Sequence, residues 1–239
     1  MHKFKSVLLK LSGEVLSGTS QFGFDFDAVR RICKEICEVH NAGIKLSIVI
    51  GGGNIIRGKS FEEVFGMERS QADNMGMLGT VINALCLQGA LEQMNVPVRV
   101  QTAIEMGAIA EPYIRRRAIK HLEKNHIVIF AAGTGSPYFT TDTAAALRAS
   151  EIKADCMIKA TKVDGVYDKD PKLYSNAIFF PSLTYQEAID KRLEVMDMAA
   201  ISLCKENRIP IAVFCILIEG NLMRFLVRGE KIGSIVSEG

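Results

Sequence analysis

The chain has no tryptophan, six prolines in 239 residues, and no apolar run long enough to cross a bilayer. Its longest apolar stretch, Ile209 to Ile218, is ten residues and includes Pro210. A spanning helix needs about twenty, so a buried strand is expected there. At the N-terminus Lys3 and Lys5 precede Val7-Leu8-Leu9, but Lys10 interrupts that run well short of a secretory core. A cytoplasmic location with no membrane association is expected. An excess of either charge is missing too: the net charge is +2, which argues against nucleic acid as a partner. No low-complexity tract suggests disorder, and 48% apolar with 23% charged residues is ordinary for a globular domain.

Metal and nucleophile signatures are also lacking. The six cysteines (33, 37, 86, 156, 204 and 215) form no C-x-x-C pair and have no histidine at ligand spacing. Cys33 and Cys37 are spaced to share a helix face, but all six read as free thiols packed like small hydrophobes. The histidines at 2, 40, 121 and 126 show no triad or metal grouping.

What is present is alternation. Short Val- and Ile-rich runs at 4–11, 44–50, 96–100, 126–132, 155–160 and 211–218 read as strands buried on both faces. Helical periods at 27–41, 71–94, 111–124, 142–153 and 197–208 separate them, with Asp25 or Asp27 as the first cap. A short helix opens at Gly220-Asn221, and a last strand follows near 232–236. This order predicts one α/β domain over 1–239, a three-layer sandwich with a mostly parallel central sheet and helices on both faces. Ligands of such sheets bind beyond the carboxyl ends of the strands, so those ends are where chemistry is sought.

The first strand ends in Lys10-Leu11-Ser12-Gly13-Glu14. A lysine beside a Ser-Gly turn suits a phosphate cradle, although a strand-end lysine can also simply extend to solvent. The second is followed by Gly51-Gly52-Gly53-Asn54 and Arg57-Gly58. Glycines there let backbone approach a ligand, and the arginine fork matches phosphate. Gly53 to Ser60 also satisfies the Walker pattern G-x-x-x-x-G-K-[ST]. A P-loop enzyme needs an acidic residue ending another strand, and neither Phe130-Ala131-Ala132-Gly133 nor Ile158-Lys159-Ala160-Thr161 offers one, so the match reads as fortuitous.

The fourth run, Thr134-Gly135-Ser136-Pro137-Tyr138-Phe139-Thr140-Thr141-Asp142, leads into a helix that Thr140 or Thr141 can cap. The helix start would face an anion, and Asp142 adds a carboxylate available to lysine or magnesium. The fifth run, Lys159 to Pro171, mixes both charges around Asp164-Gly165, a pair that alone reads as a hairpin turn. Asp197 opens the next helix, and its default reading is a cap. Lysines, an arginine, glycine loops, helix N-termini and aspartates together position and neutralise phosphates, which is most of phosphoryl-transfer catalysis.

Five motifs in register over nearly the whole chain resemble the amino acid kinase superfamily, and within it the bacterial uridylate (UMP) kinases. They are Lys10 to Glu14, Gly51 to Asn54 with Arg57-Gly58, Thr134 to Ala146, Lys159 to Pro171, and Met196 to Ala200. The resemblance implies UDP formation from UMP and ATP with Mg2+, on about eight central strands. It implies Lys10, Arg57, Asp142 and Asp197 as catalytic groups. ATP would meet Lys10, Leu11, Ser12, Gly13, Gly53, Arg57, Thr161, Lys162, Tyr167 and Asp170. UMP would meet Gly52, Asp73 and the run Thr134, Gly135, Ser136, Pro137, Tyr138, Phe139, Thr140 and Thr141. The segment Gly18, Thr19, Ser20, Gln21, Phe22 and Gly23 resembles one tied to activation by GTP. Inhibition by UTP and a homohexamer are implied in the same way. The chain departs from the family at Lys59 and at Cys215, where relatives usually carry asparagine. Two alternatives remain at this stage: a carboxylate or carbamate acceptor on the same fold, and a nucleotide-binding regulator without chemistry.

Overall fold

The structure is a computed structural model that describes residues 4–20, 22–56 and 66–238. Eleven strands occur among these residues. They are β1 (Ser6–Leu11), β2 (Lys45–Ile50), β3 (Val98–Thr102), β4 (Glu111–Pro112), β5 (Ile127–Ala131), β6 (Cys156–Thr161), β7 (Val166–Tyr167), β8 (Phe179–Phe180), β9 (Ser182–Thr184), β10 (Ile211–Cys215) and β11 (Ser234–Ser237). The helices are α1 (Phe26–Asn41), α2 (Arg69–Gln93), α3 (Arg115–Glu123), α4 (Thr141–Ile152), α5 (Tyr185–Asp190), α6 (Met198–Glu206) and α7 (Asn221–Leu226).

Nine strands form one sheet in the order β4-β3-β5-β2-β1-β6-β10-β11-β9. All neighbours are parallel except β10 with β11. The outermost strand on one side is the two-residue β4, so the count exceeds the expected eight or so only by an abbreviated edge. Strand parity then builds two cores. Val7, Leu9 and Leu11 of β1 pack with Val29 and Ile32 of α1, Leu87 of α2 and Phe225 of α7. Leu8 faces the other way, with Ala118 of α3, Ala145 of α4, Ala188 of α5 and Ile201 of α6. These are the two helical layers of a sandwich, and a period of two assigns each side chain to its layer.

The caps decide where helices begin. Asp25 accepts from the amides of Asp27 and Ala28, Thr140 from Asp142 and Thr143, and Asp197 from Ala200. Three expectations are corrected. The helix placed at 111–124 starts only at Arg115, because Pro112 disfavours the helical region at Glu111 and the two residues pair with β3 instead. The strand placed at 211–218 stops at Cys215, whose carbonyl accepts from Asn221 Nδ2 2.9 Å away. Asp164-Gly165 is not a hairpin turn, since β7 pairs antiparallel with the distant β8. Gly165 is required there for another reason: a Cβ would lie 2.5 Å from the Phe179 ring and 2.5 Å from Ser234 Oγ.

The chain runs from β1 outward through β2, β3 and β4, turns back to insert β5 between β3 and β2, and then places β6 on the other flank of β1. That reversal leaves a crevice beyond the carboxyl ends of β1, β2, β5 and β6, the usual ligand position in open α/β sheets.

Candidate active site

Two lysines stand side by side over this crevice. Lys10 on β1 and Lys159 on β6 are direct partners in the parallel register. Both share the parity of Leu8, and so both point toward the layer containing α4. Adjacent strands lie about 5 Å apart, and two bare ammonium groups at that spacing repel by roughly 3 kcal/mol in a half-buried site. Asp142, on the first turn of α4, reverses that sign. Its Oδ1 lies 2.7 Å from Lys10 Nζ and its Oδ2 lies 2.9 Å from Lys159 Nζ. Burial pushes the Asp142 carboxyl up, but Lys10 and then Lys159 outweigh it and hold it below its ordinary value. Lys159 also donates to the Val195 carbonyl at 2.5 Å.

Asp197 secures the other side of the α4 N-terminus. It accepts from Thr140 Oγ1, from Thr143 Oγ1 at 2.9 Å and from the Ala200 amide at 2.8 Å. Thr140 passes this order on by accepting from the amides of Asp142 and Thr143. The capping role of Asp197 is thus present, together with a tie between α4 and α6 that its spacing did not reveal.

Two clefts flank the lysine pair. The first, about 280 Å³, is lined by Gly52, Gly53, Asp73, Thr134, Ser136, Phe139, Thr140 and Thr141, with Arg69, Met77, Thr80 and Gly133 among the rest. Eight residues foreseen for ligand binding meet here, Gly53 among the acceptor residues. Gly135, Pro137 and Tyr138 lie on the same loop without lining the cleft. Tyr138 donates its amide to Asp73 Oδ2 at 2.8 Å while its ring lies under Arg69. The second cleft, about 630 Å³, is lined by Lys159, Thr161, Tyr167 and Asp170 together with Val163, Arg192, Glu194 and Val195. Lysine 159 therefore faces one cleft while Thr140 and Thr141, just before its carboxylate partner, wall the other.

The remaining foreseen residues fall into place less directly. Leu11 is fully buried, and its carbonyl accepts from the Gly51 amide, so its side chain presents nothing to a ligand. Ser12 caps the single turn Gly13–Val15 by accepting from the Glu14 amide. Lys162 is outside the second cleft's wall and pairs with Glu14 at 3.0 Å. None of the described residues of 18–23 lines either cleft, and Gly23 exchanges hydrogen bonds with Asn54. Arg57, Gln21, and Gly58 to Ser60 of the Walker match lie outside the described residues.

Sequence reasoning gave no role to Lys159, Thr143, Thr80 or Asn83. Only Lys159 carried a signal: a second lysine near the end of a buried strand, at the parity of Lys10. Ala132 (φ 61) and Tyr138 (φ 73) occupy the left-handed region, a strain typical of functional loops. Each is held by α2, Ala132 through its amide on Thr80 Oγ1 at 2.8 Å and Tyr138 through Asp73.

Comparison with known proteins agrees with this geometry. The amino acid kinase family matches residues 5–215. The solved structure of UMP kinase from Bacillus anthracis superposes with a TM-score of 0.94 at 41% identity, covering 98% of this chain and 96% of that one. The chain belongs to the amino acid kinase family, in its UMP kinase branch. UMP kinase from Ureaplasma parvum gives a TM-score of 0.92 at 38% identity, over 98% of this chain and 99% of the other. Uridylate kinase from Archaeoglobus fulgidus gives 0.75 at 30%, over 97% and 99%. The likeness to the UMP kinases thus extends beyond the end of the family match, through α7.

No group of three or more metal-ligating side chains occurs among the described residues. Both carboxylates nearest the lysines are engaged, Asp142 by the two lysines and Asp197 by hydroxyls and an amide. Mg2+ commonly reaches such sites coordinated by substrate phosphates and water.

Proposed function

We propose that the chain is a UMP kinase that transfers the γ-phosphoryl group of ATP to UMP, giving UDP and ADP. The observation that carries this is the Lys10–Asp142–Lys159 cluster, set between two clefts at the head of α4. UMP occupies the first cleft, with its phosphate toward the start of α4 and its ribose hydroxyls toward Asp73. Mg-ATP enters as substrate, its base and ribose in the second cleft near Thr161, Tyr167 and Asp170. A UMP phosphate oxygen forms the new P–O bond while the bond to the β–γ bridging oxygen breaks, and its electron pair leaves with ADP. The attacking oxygen is already anionic, so no side chain need remove a proton. Lys10 neutralises the charge in flight, Lys159 assists from the ATP side, and Asp142 fixes both. Asp197 keeps the helix start aimed at the phosphate through Thr140 and Thr143, and Arg57 belongs to the same reading.

The chain works as one cytoplasmic domain. No helix among the described residues is long and apolar enough to cross a membrane. Assembly as a homohexamer is supported by α2, whose outer face exposes Leu78 and Ile82 beside half-buried Leu85 and Cys86. Such a stripe suits a second copy of the same helix across a two-fold axis, with three dimers completing the hexamer. UTP carries the base, ribose and first phosphate of UMP, so it inhibits from the first cleft. GTP activation through 18–23 is supported by the bonds from Gly23 to Asn54, which join that segment to the Gly51–Asn54 loop.

The test is ADP release with Mg-ATP against UMP, CMP, AMP and N-acetylglutamate. Turnover with UMP is expected. Activity confined to N-acetylglutamate would keep the fold and replace the acceptor. Silence across the panel, with and without GTP, would favour a non-catalytic nucleotide-binding protein.

A further inference from the structure

Beneath the crevice lies a polar knot that touches neither cleft. Asn83, on the inner face of α2, and Asn54, at the end of the Gly51–Asn54 loop, are both fully buried. Asn83 Nδ2 donates to Asn54 Oδ1 at 2.6 Å, and Asn54 Nδ2 donates to Asn83 Oδ1 at 3.1 Å. The second donor of each amide reaches backbone: Asn83 to the Gly51 carbonyl at 2.7 Å, and Asn54 to the Gly23 carbonyl at 2.9 Å. Every donor of the two side chains is therefore used, and each oxygen is paired. Neither amide can flip without setting two oxygens against each other.

Gly13, in the turn after β1, rests on this pair. A methyl there would collide with Asn54 Oδ1, and would lie 2.6 Å from the Gly51 carbonyl and 2.8 Å from Asn83 Nδ2. The Ser12-Gly13 turn and the Gly51–Asn54 loop are thus stacked on one amide dimer, and that dimer is fixed to α2.

We infer that Asn83 is a positioning residue for phosphoryl transfer, acting through Gly51, Asn54 and Gly13 to set the spacing of the two loops that carry the phosphates. It touches no substrate. A buried polar network with every member satisfied specifies one arrangement, and losing one member frees the rest to shift. Displacement of a positioning element by about 1 Å costs on the order of a hundredfold in rate. The fault should appear in the chemical step and not in UMP capture, because Asn83 lines neither cleft.

The experiment is steady-state kinetics on Asn83→Ala and on the isosteric Asn83→Asp, which keeps volume and loses both donors. This rests on the kinase reading, and wild-type turnover with UMP, measured first, separates a failure of that reading from a failure of this one. For each variant, kcat is expected to fall roughly ten- to a hundredfold with the KM for UMP within about threefold. Leu91→Ala, a cavity in the same helix about two turns beyond Asn83, controls for general loosening: it should lower Tm at least as much and keep kcat. The double variant Asn54→Ala/Asn83→Ala should be no slower than the slower single variant, because the two act as one unit. Unchanged kcat in Asn83→Asp, a kcat loss in Leu91→Ala matching its Tm loss, or multiplicative losses in the double variant would each overturn the assignment. If Asn83→Ala fails to fold, the aspartate variant decides alone.

Discussion

Lys10 has the most consequential address of any residue in the chain. Its side chain is 13% exposed, and apart from Lys159 and Asp142 it belongs to a largely apolar face. Burying a lysine there is tolerable only because Asp142 stands within 2.7 Å, and the same carboxylate restrains Lys159. Lys10→Ala should lower turnover by about a hundredfold or more while leaving UMP affinity close to wild type, because it removes transition-state charge stabilisation. Turnover and calorimetric UMP binding on the same preparation would check this, and unchanged turnover would remove Lys10 from the mechanism. Thiols give a second residue-scale prediction. Burial pushes Cys33 and Cys204 from 9.0 up to about 12. The folded state therefore keeps two protons that the unfolded chain begins to lose near pH 9. Stability is fully present below pH 9 and should decline as pH rises toward 12, by roughly 1.4 kcal/mol per pH unit for each thiol. Denaturant titrations across that range should show a shallower decline in Cys204→Val than in wild type.

At the scale of elements, α2 and α4 divide the labour. Helix α4 supplies charge and a dipole end to the site. Helix α2 supplies alignment: Asp73 holds Tyr138, Thr80 holds Ala132 and Asn83 holds Gly51. Tight packing makes this possible, since a Cβ on Gly52 would lie 2.6 Å from the Gly76 carbonyl. Helix α6 braces α4 through Asp197. Asp197→Ala should cost about 1–3 kcal/mol, combining a lost cap with two hydroxyls left without their acceptor. It should also lower kcat, because Thr140 no longer has an anionic partner to orient it. Thermal denaturation and turnover measured together test this; a variant losing stability alone would reduce Asp197 to a cap.

For the molecule as a whole, the question is how many copies assemble. An apolar stripe on a 25-residue helix, left uncovered in a single chain, is a poor surface to leave in water. Ile82→Asp should cut the sedimenting mass below that of wild type by placing charge in the contact, while leaving the helix formed. An unchanged mass would exclude this face of α2 as the contact. Asn83 lies on the inner side of the same helix, so whatever seats the outer face also bears on the phosphate loops.

The sequence by itself determined the layer order. Val- and Ile-rich runs alternating with helical periods, caps at Asp25 or Asp27 and at Thr140 or Thr141, and glycine loops after buried strands follow from local periodicity and turn chemistry, which need no partner to act. Lys10, Asp142 and Asp197 each sit at an element's end, where spacing marks a position, but their proposed roles came from the family resemblance and not from local pattern. Only the tertiary structure decided what those ends share. Register made Lys10 and Lys159 neighbours across 149 positions of chain, and Asn54 met Asn83 because Gly13 and Gly52 allow backbones to close together. Contacts between residues far apart in the chain depend on how strands pair and helices pack, and no local pattern records that choice.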